Sequence, residues 1–309
     1  MMRSLYAGVS GLRAHQTRMD VIGNNIANVN TVGFKSSRVT FKDVFYQTMA
    51  TATNPNDEDG YGRGGTNPYQ IGIGTMISTI DTLNTRAGYQ TTDKPWDVYI
   101  DGEGYFRVSN TMTSEDEGHI SYYTRVGNFT FDALGRLVDG YGNFVYGQGD
   151  QVVAIQDLAR DSFFETAEPD GEYEPEATNV INIEDFLRYT QIQIGPDGVI
   201  TAIDKSGEGD EGELVAIGQI ALYKFINNDA LLQVGTTYLM ETANSGQPRL
   251  CIPGDGGTGK LQTGGLEMSN VDLSKEFTDM IITQRGFQAN SRIITVSDEM
   301  LQELVNLKR

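Results

Sequence analysis

The residues from Gly254 to Lys260 read GDGGTGK, a run that is close to a catalytic motif. A phosphate-binding loop uses such glycines to bring backbone N–H groups to a phosphate, and a Ser or Thr after its lysine to reach magnesium. Here Leu261 follows the lysine, and Gly264 and Gly265 stand where the helix after such a loop would begin. The sequence therefore predicts a glycine-rich connector at this position and no nucleotide cofactor.

Acidic residues beside glycines raise the question of a calcium loop at three positions, Gly60, Gly209 and Gly212. An EF-hand loop needs a bidentate carboxylate at its last position, six residues after the central glycine. None of the three glycines is followed by an acid at that distance. We therefore predict no metal site of this kind.

Histidine and cysteine chemistry has few candidates. His15 and His119 are the two histidines, and Cys251 is the single cysteine. One cysteine forms neither an internal disulfide nor a cysteine-based zinc site, and neither histidine has the partners that a nucleophile or a zinc site needs. The 42 acidic residues offer many carboxylate pairs, but nothing singles one out. The sequence predicts a protein that is not an enzyme, with no catalytic, cofactor-binding or metal-ligating residue.

Charge and hydropathy exclude further classes of function. A net charge of −19 repels nucleic acid. No apolar run reaches the roughly 18–20 residues of a membrane span, and the first residues lack the apolar centre of a signal peptide, so standard signals leave the chain in the cytoplasm. Acids concentrate between residues 157 and 188. We interpret residues 157–179 as a solvated acidic insertion; an acidic binding surface is the alternative.

Apolar residues recur every seven positions near both ends of the chain. This spacing predicts two α-helices that pack side by side along their length. Surface helices on an ordinary core are the alternative. We expect the repeating residues to pack subunits together; they are Leu5, Leu12, Met19 and Ile26 in the first helix, and Leu273, Met280, Phe287, Ile294 and Leu301 in the second.

Glycine and asparagine residues follow the first repeat. Gly23, Asn24, Asn28 and Gly33 are of the types that end helices and tolerate turns. They predict that the first helix ends here and that the chain turns outward. A simple helix cap and turn is the alternative.

Short runs of alternating apolar and polar residues, such as Trp96–Ile100, fill the centre of the chain. Glycine-rich turns separate them at intervals of about ten residues, a pattern typical of β-strands. We therefore expect an α+β protein with a mainly β domain at 76–265 and a linker or extended arm at 39–75. Residues 1–38 and 266–309 would form a helical inner domain in which two long helices pair like a coiled coil.

Two long motifs resemble the end signatures of the bacterial flagellar rod and hook family. Residues 20–35 read DVIGNNIANVNTVGFK, and residues 269–292 read SNVDLSKEFTDMIITQRGFQANSR. The segments Asp97–Phe106 and Tyr123–Phe129 also resemble the β domain of that family. The resemblance covers nearly the whole chain except about residues 157–179.

This resemblance implies a structural subunit that assembles with itself into a hollow tube, with the terminal helices around the channel and the β domains outside. Within the family, the two chain ends are most similar to hook proteins, which form the flexible joint that transmits motor torque to the filament. The distal rod subunit of the basal body is the alternative. A secreted β-rich binding module is the alternative from another functional class.

The resemblance also implies binding partners and a route of export from the cell. The expected partners are other copies of the chain, rod proteins, the hook cap, hook–filament junction proteins and the flagellar type III export apparatus, which would deliver the chain outside the cell. Residues Phe41 to Phe45 read FKDVF, similar to the short signal by which rod and hook subunits dock on the export gate. This similarity implies an export role for Phe41 and Phe45. A helix stripe or a linker anchor explains the pattern equally well.

Overall fold

The structure is a computed structural model, and it describes residues 2–54, 64–111, 120–133, 135–147, 189–204, 213–235 and 237–307. Two parts of the chain form separate compact units. The helical unit contains Met1–Asn30, Lys35–Asn84 and Asn270–Arg309, and the β unit contains Thr31–Phe34 and Thr85–Ser269. The predicted acidic insertion at 157–179 lies outside the described residues, as do His119 and residues 55–63 of the predicted linker.

The helical unit contains both expected terminal helices, α1 at Met2–Ala27 and α2 at Leu273–Leu307. They pack antiparallel, because Ser4 hydrogen-bonds Ser297 at one end and Asn25 hydrogen-bonds Glu276 at the other. The Asp272 carboxylate caps α2 by accepting backbone N–H groups of its first turn. Neither helix of the described chain has the length of apolar sequence that a bilayer crossing requires. The predicted pairing of the terminal helices is confirmed.

Strands accompany the helices in the helical unit. They are β1 at Ser37–Asp43, β2 at Tyr46–Ala50, β3 at Tyr69–Gly72 and β4 at Thr75–Thr82. β1 pairs antiparallel with β4, β2 pairs antiparallel with β3, and both β1 and β4 contact α1. The region 39–75, for which the sequence predicts a linker or extended arm, therefore includes paired strands. In β1, Val39 and Phe41 alternate with polar residues, as expected for a half-buried strand.

The β unit is built from antiparallel strands. Its described strands are β5 (Tyr89–Thr91), β6 (Val98–Asp101), β7 (Phe106–Ser109), β8 (Ser121–Thr124), β9 (Thr130–Phe131), β10 (Leu137–Val138), β11 (Phe144–Val145), β12 (Tyr189–Ile194), β13 (Val199–Asp204), β14 (Glu213–Gln219), β15 (Leu222–Lys224), β16 (Leu232–Gly235), β17 (Tyr238–Met240), β18 (Arg249–Cys251), β19 (Lys260–Thr263) and β20 (Gly265–Glu267). The largest sheet has the order β16-β17-β8-β7-β11-β10-β9, and a second has the order β12-β13-β14. β15 pairs with β18, β19 with β6, and β20 with β5. The expected mainly β centre, and with it the α+β class, is confirmed.

Apolar side chains from several strands fill the core of the β unit. The rings of Phe106 and Phe129 meet edge to face, with centroids 5.0 Å apart. Val98, Ile100 and Leu137 belong to the same buried cluster. These buried aromatic and branched side chains give the β unit a hydrophobic core of its own.

A buried ion pair joins distant stretches of chain within the β unit. Arg125 Nε donates to Glu267 Oε2 at 2.8 Å, and Arg125 also donates to the Gly102 carbonyl at 2.6 Å. The other oxygen of the Glu267 carboxylate accepts the Ala87 N–H, and its backbone carbonyl accepts the Gly33 N–H. Glu267 therefore holds together three stretches that enter or leave this unit.

Candidate assembly interface

The centre of the contact between α1 and α2 is made by small and polar residues. A Cβ atom at Gly11 would lie 2.6 Å from Asn290 Nδ2, and one at Gly286 would lie 2.7 Å from the His15 ring. Both glycines therefore permit a close approach that alanine would obstruct. Glycine inside a helix costs about 1 kcal/mol relative to alanine. Glycines inside both helices could have predicted this close packing. The seven-residue pattern did not predict it, because that pattern considers only apolar side chains.

The predicted packing residues lie along the two helices with different exposure. Ile294 packs against α1 of its own chain, because its Cγ1 would be 3.2 Å from a Cβ at Gly8, and its role in subunit packing stays a prediction. The missing side chain of Gly8 leaves the space that Ile294 occupies. For the remaining residues, a role in subunit packing stays a prediction. Leu5, Leu12, Met19, Ile26, Met280 and Leu301 are half-buried, and Leu273 and Phe287 are exposed.

Polar contacts fix the register of the helix pair. Arg18 forms a salt bridge to Asp279 at 2.9 Å. Asn25, which is 1% exposed, donates to Glu276 at 3.2 Å and to the Ser37 carbonyl at 2.9 Å, and accepts the Ser37 N–H. Burial raises the pKa of Glu276, and the hydrogen bond from Asn25 opposes that rise. The seven-residue pattern gives no role to Asn25, although asparagine inside a helix often marks a side chain bonded to backbone.

His15 and Phe41 pack together beside the helix pair. Their ring centroids are 5.7 Å apart, and the Arg18 guanidinium also lies 5.7 Å from the Phe41 ring. Burial lowers the pKa of His15, and the positive charge of Arg18 lowers it further. Phe45 is 84% exposed. The two aromatic residues of the FKDVF segment therefore have different surroundings, and their export role stays a prediction.

The helix-end residues divide between the helix and the turn. α1 ends at Ala27, so Gly23 and Asn24 lie within its last turns, and Asn28 and Gly33 follow its end. The bonds of Asn25 hold this last stretch helical despite the glycine. Asn28 donates its side-chain N–H to the Asn24 carbonyl at 2.9 Å, and Gly33 has a φ of +70° in the following turn.

The predicted glycine-rich connector lies between β18 and β19 in the β unit. Its backbone closes on itself, because the N–H of Gly254 donates to the Gly259 carbonyl and the N–H of Thr258 to that of Asp255. Those donors are satisfied within the loop. The described residues contain no group of three or more potential metal ligands.

Apolar side chains remain exposed along α2. Ile282, Ile293, Val296, Met300 and Leu304 are each between 45% and 55% exposed. A single chain leaves this apolar surface uncovered. Contiguous exposed apolar surface marks sites of association, so α2 is the strongest candidate for contact with other subunits.

Comparison with known proteins gives three matching family models. A model described as Flagella basal body rod protein matches residues 5–35, one described as Flagellar hook protein FlgE/F/G D1 domain matches 99–202, and one described as Flagellar basal body rod FlgEFG protein C-terminal matches 262–307. Together they cover the two helices and much of the β unit.

Curated relatives match along the whole chain. The chain is 45% identical to the flagellar basal-body rod protein FlgG of Bacillus subtilis over 310 aligned positions, with both chains fully covered. It is 34% identical to the FlgG of Borreliella burgdorferi over 310 positions and 31% identical to the flagellar hook protein FlgE of the same species over 452 positions, again with full coverage of both chains. The chain therefore belongs to the bacterial flagellar rod and hook family, whose members are structural components of the flagellum.

Proposed function

We propose that this chain is the distal rod subunit of the flagellar basal body. The supporting observation is the agreement in length as well as identity with a rod protein, at 45% over 310 aligned positions for a chain of 309 residues. The hook relative needs 452 aligned positions, so it carries segments that this chain lacks. The hook, which the sequence motifs favoured, is the second candidate, and 31% identity over the whole chain supports it.

In this proposal, copies of the chain form a hollow tube and the helical unit builds its inner wall. A long helix with exposed apolar residues gains stability by packing against helices of neighbouring copies. Ile293 and Val296, which are 45% and 51% exposed in one chain, would become buried in the tube. The partners are thus further copies of the chain and the axial proteins above and below it.

Delivery to the rod belongs to the same proposal. A subunit of the axial tube leaves the cell through the flagellar type III apparatus. We assign the export contact to Phe41 and Phe45, on the resemblance of FKDVF to the signal of rod and hook subunits.

The experiment is an in-frame deletion of the gene, followed by electron microscopy of isolated basal bodies. A distal rod subunit is required before the hook can be added, so the deletion should leave shortened rods that carry no hook. Complete rods without hooks would support the hook instead. Normal flagella would refute an axial function and favour the secreted binding module.

A further inference from the structure

The C-terminal end of α2 extends beyond α1 in the helix pair. Ser4, in the first turn of α1, lies against Ser297, so the antiparallel register leaves residues 300–307 past the described start of α1. We name these residues the α2 tip; they form about two helical turns. Met300 is 45% exposed, Leu304 49% and Leu307 83%. By this register, no described α1 residue lies opposite the α2 tip, and Met300, Leu304 and Leu307 are left as exposed apolar side chains.

A groove of apolar character lies in the helical unit between α1, β4 and Val44, the residue that follows β1. Its volume is about 400 Å³, within the range of clefts that hold a ligand. Tyr6 and Val9 on α1 are 65% and 38% exposed, and Met76 on β4 is 47% exposed. We name it the α1–β4 groove; its apolar lining is Tyr6, Val9, Ala14, Val44, Met76 and Ile77.

We propose that the α2 tip of one copy docks in the α1–β4 groove of a second copy, an inference that rests on the proposed rod function. The contact joins two different surfaces of the same chain and is therefore heterologous. A heterologous contact, repeated from copy to copy, gives a ring where the rotation closes and an open helical polymer where it does not. A contact between two α2 tips would instead close as a dimer. A tube of many subunits requires the first kind of contact.

Charge favours the same pairing. Arg13 is exposed and is the charged residue that lines the groove. Glu303 is exposed on the α2 tip, three residues after Met300, so the acid and the apolar side chain share a face of the helix. Opposite charges on the two surfaces attract and help to select the register of docking. Arg13 of one copy and Glu303 of the next therefore mark the two sides of this contact.

Disulfide crosslinking tests the geometry. Val9→Cys and Leu304→Cys are introduced together into a Cys251→Ser chain, isolated basal bodies are oxidised, and the denatured chains are separated without reductant. The heterologous contact predicts a ladder of dimers, trimers and longer products from the double variant and monomers from either single variant. The matched control pairs Val9→Cys with Ile281→Cys, because Ile281 is also an exposed apolar residue of α2 but lies far from the tip; it should stay monomeric.

Two crosslinking results would overturn the proposal. One is a monomeric double variant in basal bodies that have assembled. The other is a dimer from Leu304→Cys alone, which would indicate an isologous contact between tips.

If a cysteine variant fails to assemble, charge reversal tests the contact between the α2 tip and the α1–β4 groove. Arg13→Glu and Glu303→Arg should each abolish motility, and the two together should restore it, since each docking contact then regains an opposite pair. Motile single variants, or a double variant that stays non-motile, would overturn the proposal. Flagella that assemble normally in all variants would reject this contact while leaving the rod function, which the gene deletion tests separately.

Discussion

Replacement of Glu267 by Gln should destabilise the β unit strongly. The side chains of Arg125 and Glu267 are 8% and 0% exposed, and their charged atoms are 2.8 Å apart. Glutamine keeps the size and a hydrogen-bond acceptor but leaves the Arg125 charge buried without its counter-ion. Breaking a buried pair from one side costs about 3–5 kcal/mol.

An exposed ion pair in the same unit supplies the matched control. Glu103 pairs with Lys224 at 2.6 Å, with side chains 61% and 34% exposed. Solvent screens such a pair, which contributes about 0–1 kcal/mol. Glu103→Gln makes the same chemical change as Glu267→Gln, so the difference between the two variants isolates the effect of burial.

Thermal unfolding followed by tryptophan fluorescence measures the effect in the right unit. Trp96 is the single tryptophan, and its ring lies 5.4 Å from that of Phe131 in the β unit. In a unit of this size, 1 kcal/mol shifts Tm by about 2–4 °C. Glu267→Gln should therefore lower Tm by roughly 6–20 °C, and Glu103→Gln by at most about 4 °C.

If Tm falls by the same small amount in Glu267→Gln and Glu103→Gln, the Arg125–Glu267 pair does not stabilise the β unit as predicted. A further variant checks the cause. Arg125→Met combined with Glu267→Gln should recover part of the lost Tm, because it removes the charge that the single variant leaves buried. No recovery would show that the loss came from the hydrogen bonds of Glu267 and not from the unpaired charge.

Three further variants test the helical unit and the segments around it. Gly286→Ala should destabilise the helix pair, because overpacking against the His15 ring costs about 1–3 kcal/mol and offsets the helical gain of about 1 kcal/mol. Gly23→Ala should stabilise the pair, because a Cβ there would meet nothing within 4 Å. Melting curves followed by circular dichroism that rank the two variants in the opposite order would contradict the close packing at Gly286. Phe41→Ala should reduce secretion at an unchanged cytoplasmic level on immunoblots, and normal secretion would retire its export role. Replacement of residues 165–178 by a short Gly-Ser linker should leave motility intact, since that acidic composition suits a solvated excursion; lost assembly with a folded β unit would count against this.

The sequence predicted the elements well because their patterns are local. The seven-residue repeat identified both helices, and alternation with glycine turns identified the β domain, since each pattern follows from the geometry of one element. The predicted arm at 39–75 contains most of β1 and stops at the first residue of β4, because the pairing of these two strands is not a local pattern. Their pairing joins residues such as Val39 and Ile80, which are far apart in sequence.

The centre of the helix pair was harder to predict, because it depends on contacts between elements. The seven-residue pattern is defined by apolar side chains. The two helices approach closely at Gly11 and Gly286 because these residues have no side chain. Gly23 has a low intrinsic helix preference, yet α1 continues past it to Ala27, where Asn25 bonds Ser37 and Glu276 of α2. Tertiary contacts outweighed local propensity at both places.

The most direct test of the proposed function is an electron cryo-microscopy map of isolated basal bodies with hooks attached. If the chain is the distal rod subunit, its sequence will fit the side-chain density of the tube immediately below the hook, with α1 and α2 of each copy in the inner wall. Density there that fits a different chain, with this sequence found in the hook or absent from the tube, would contradict the proposal.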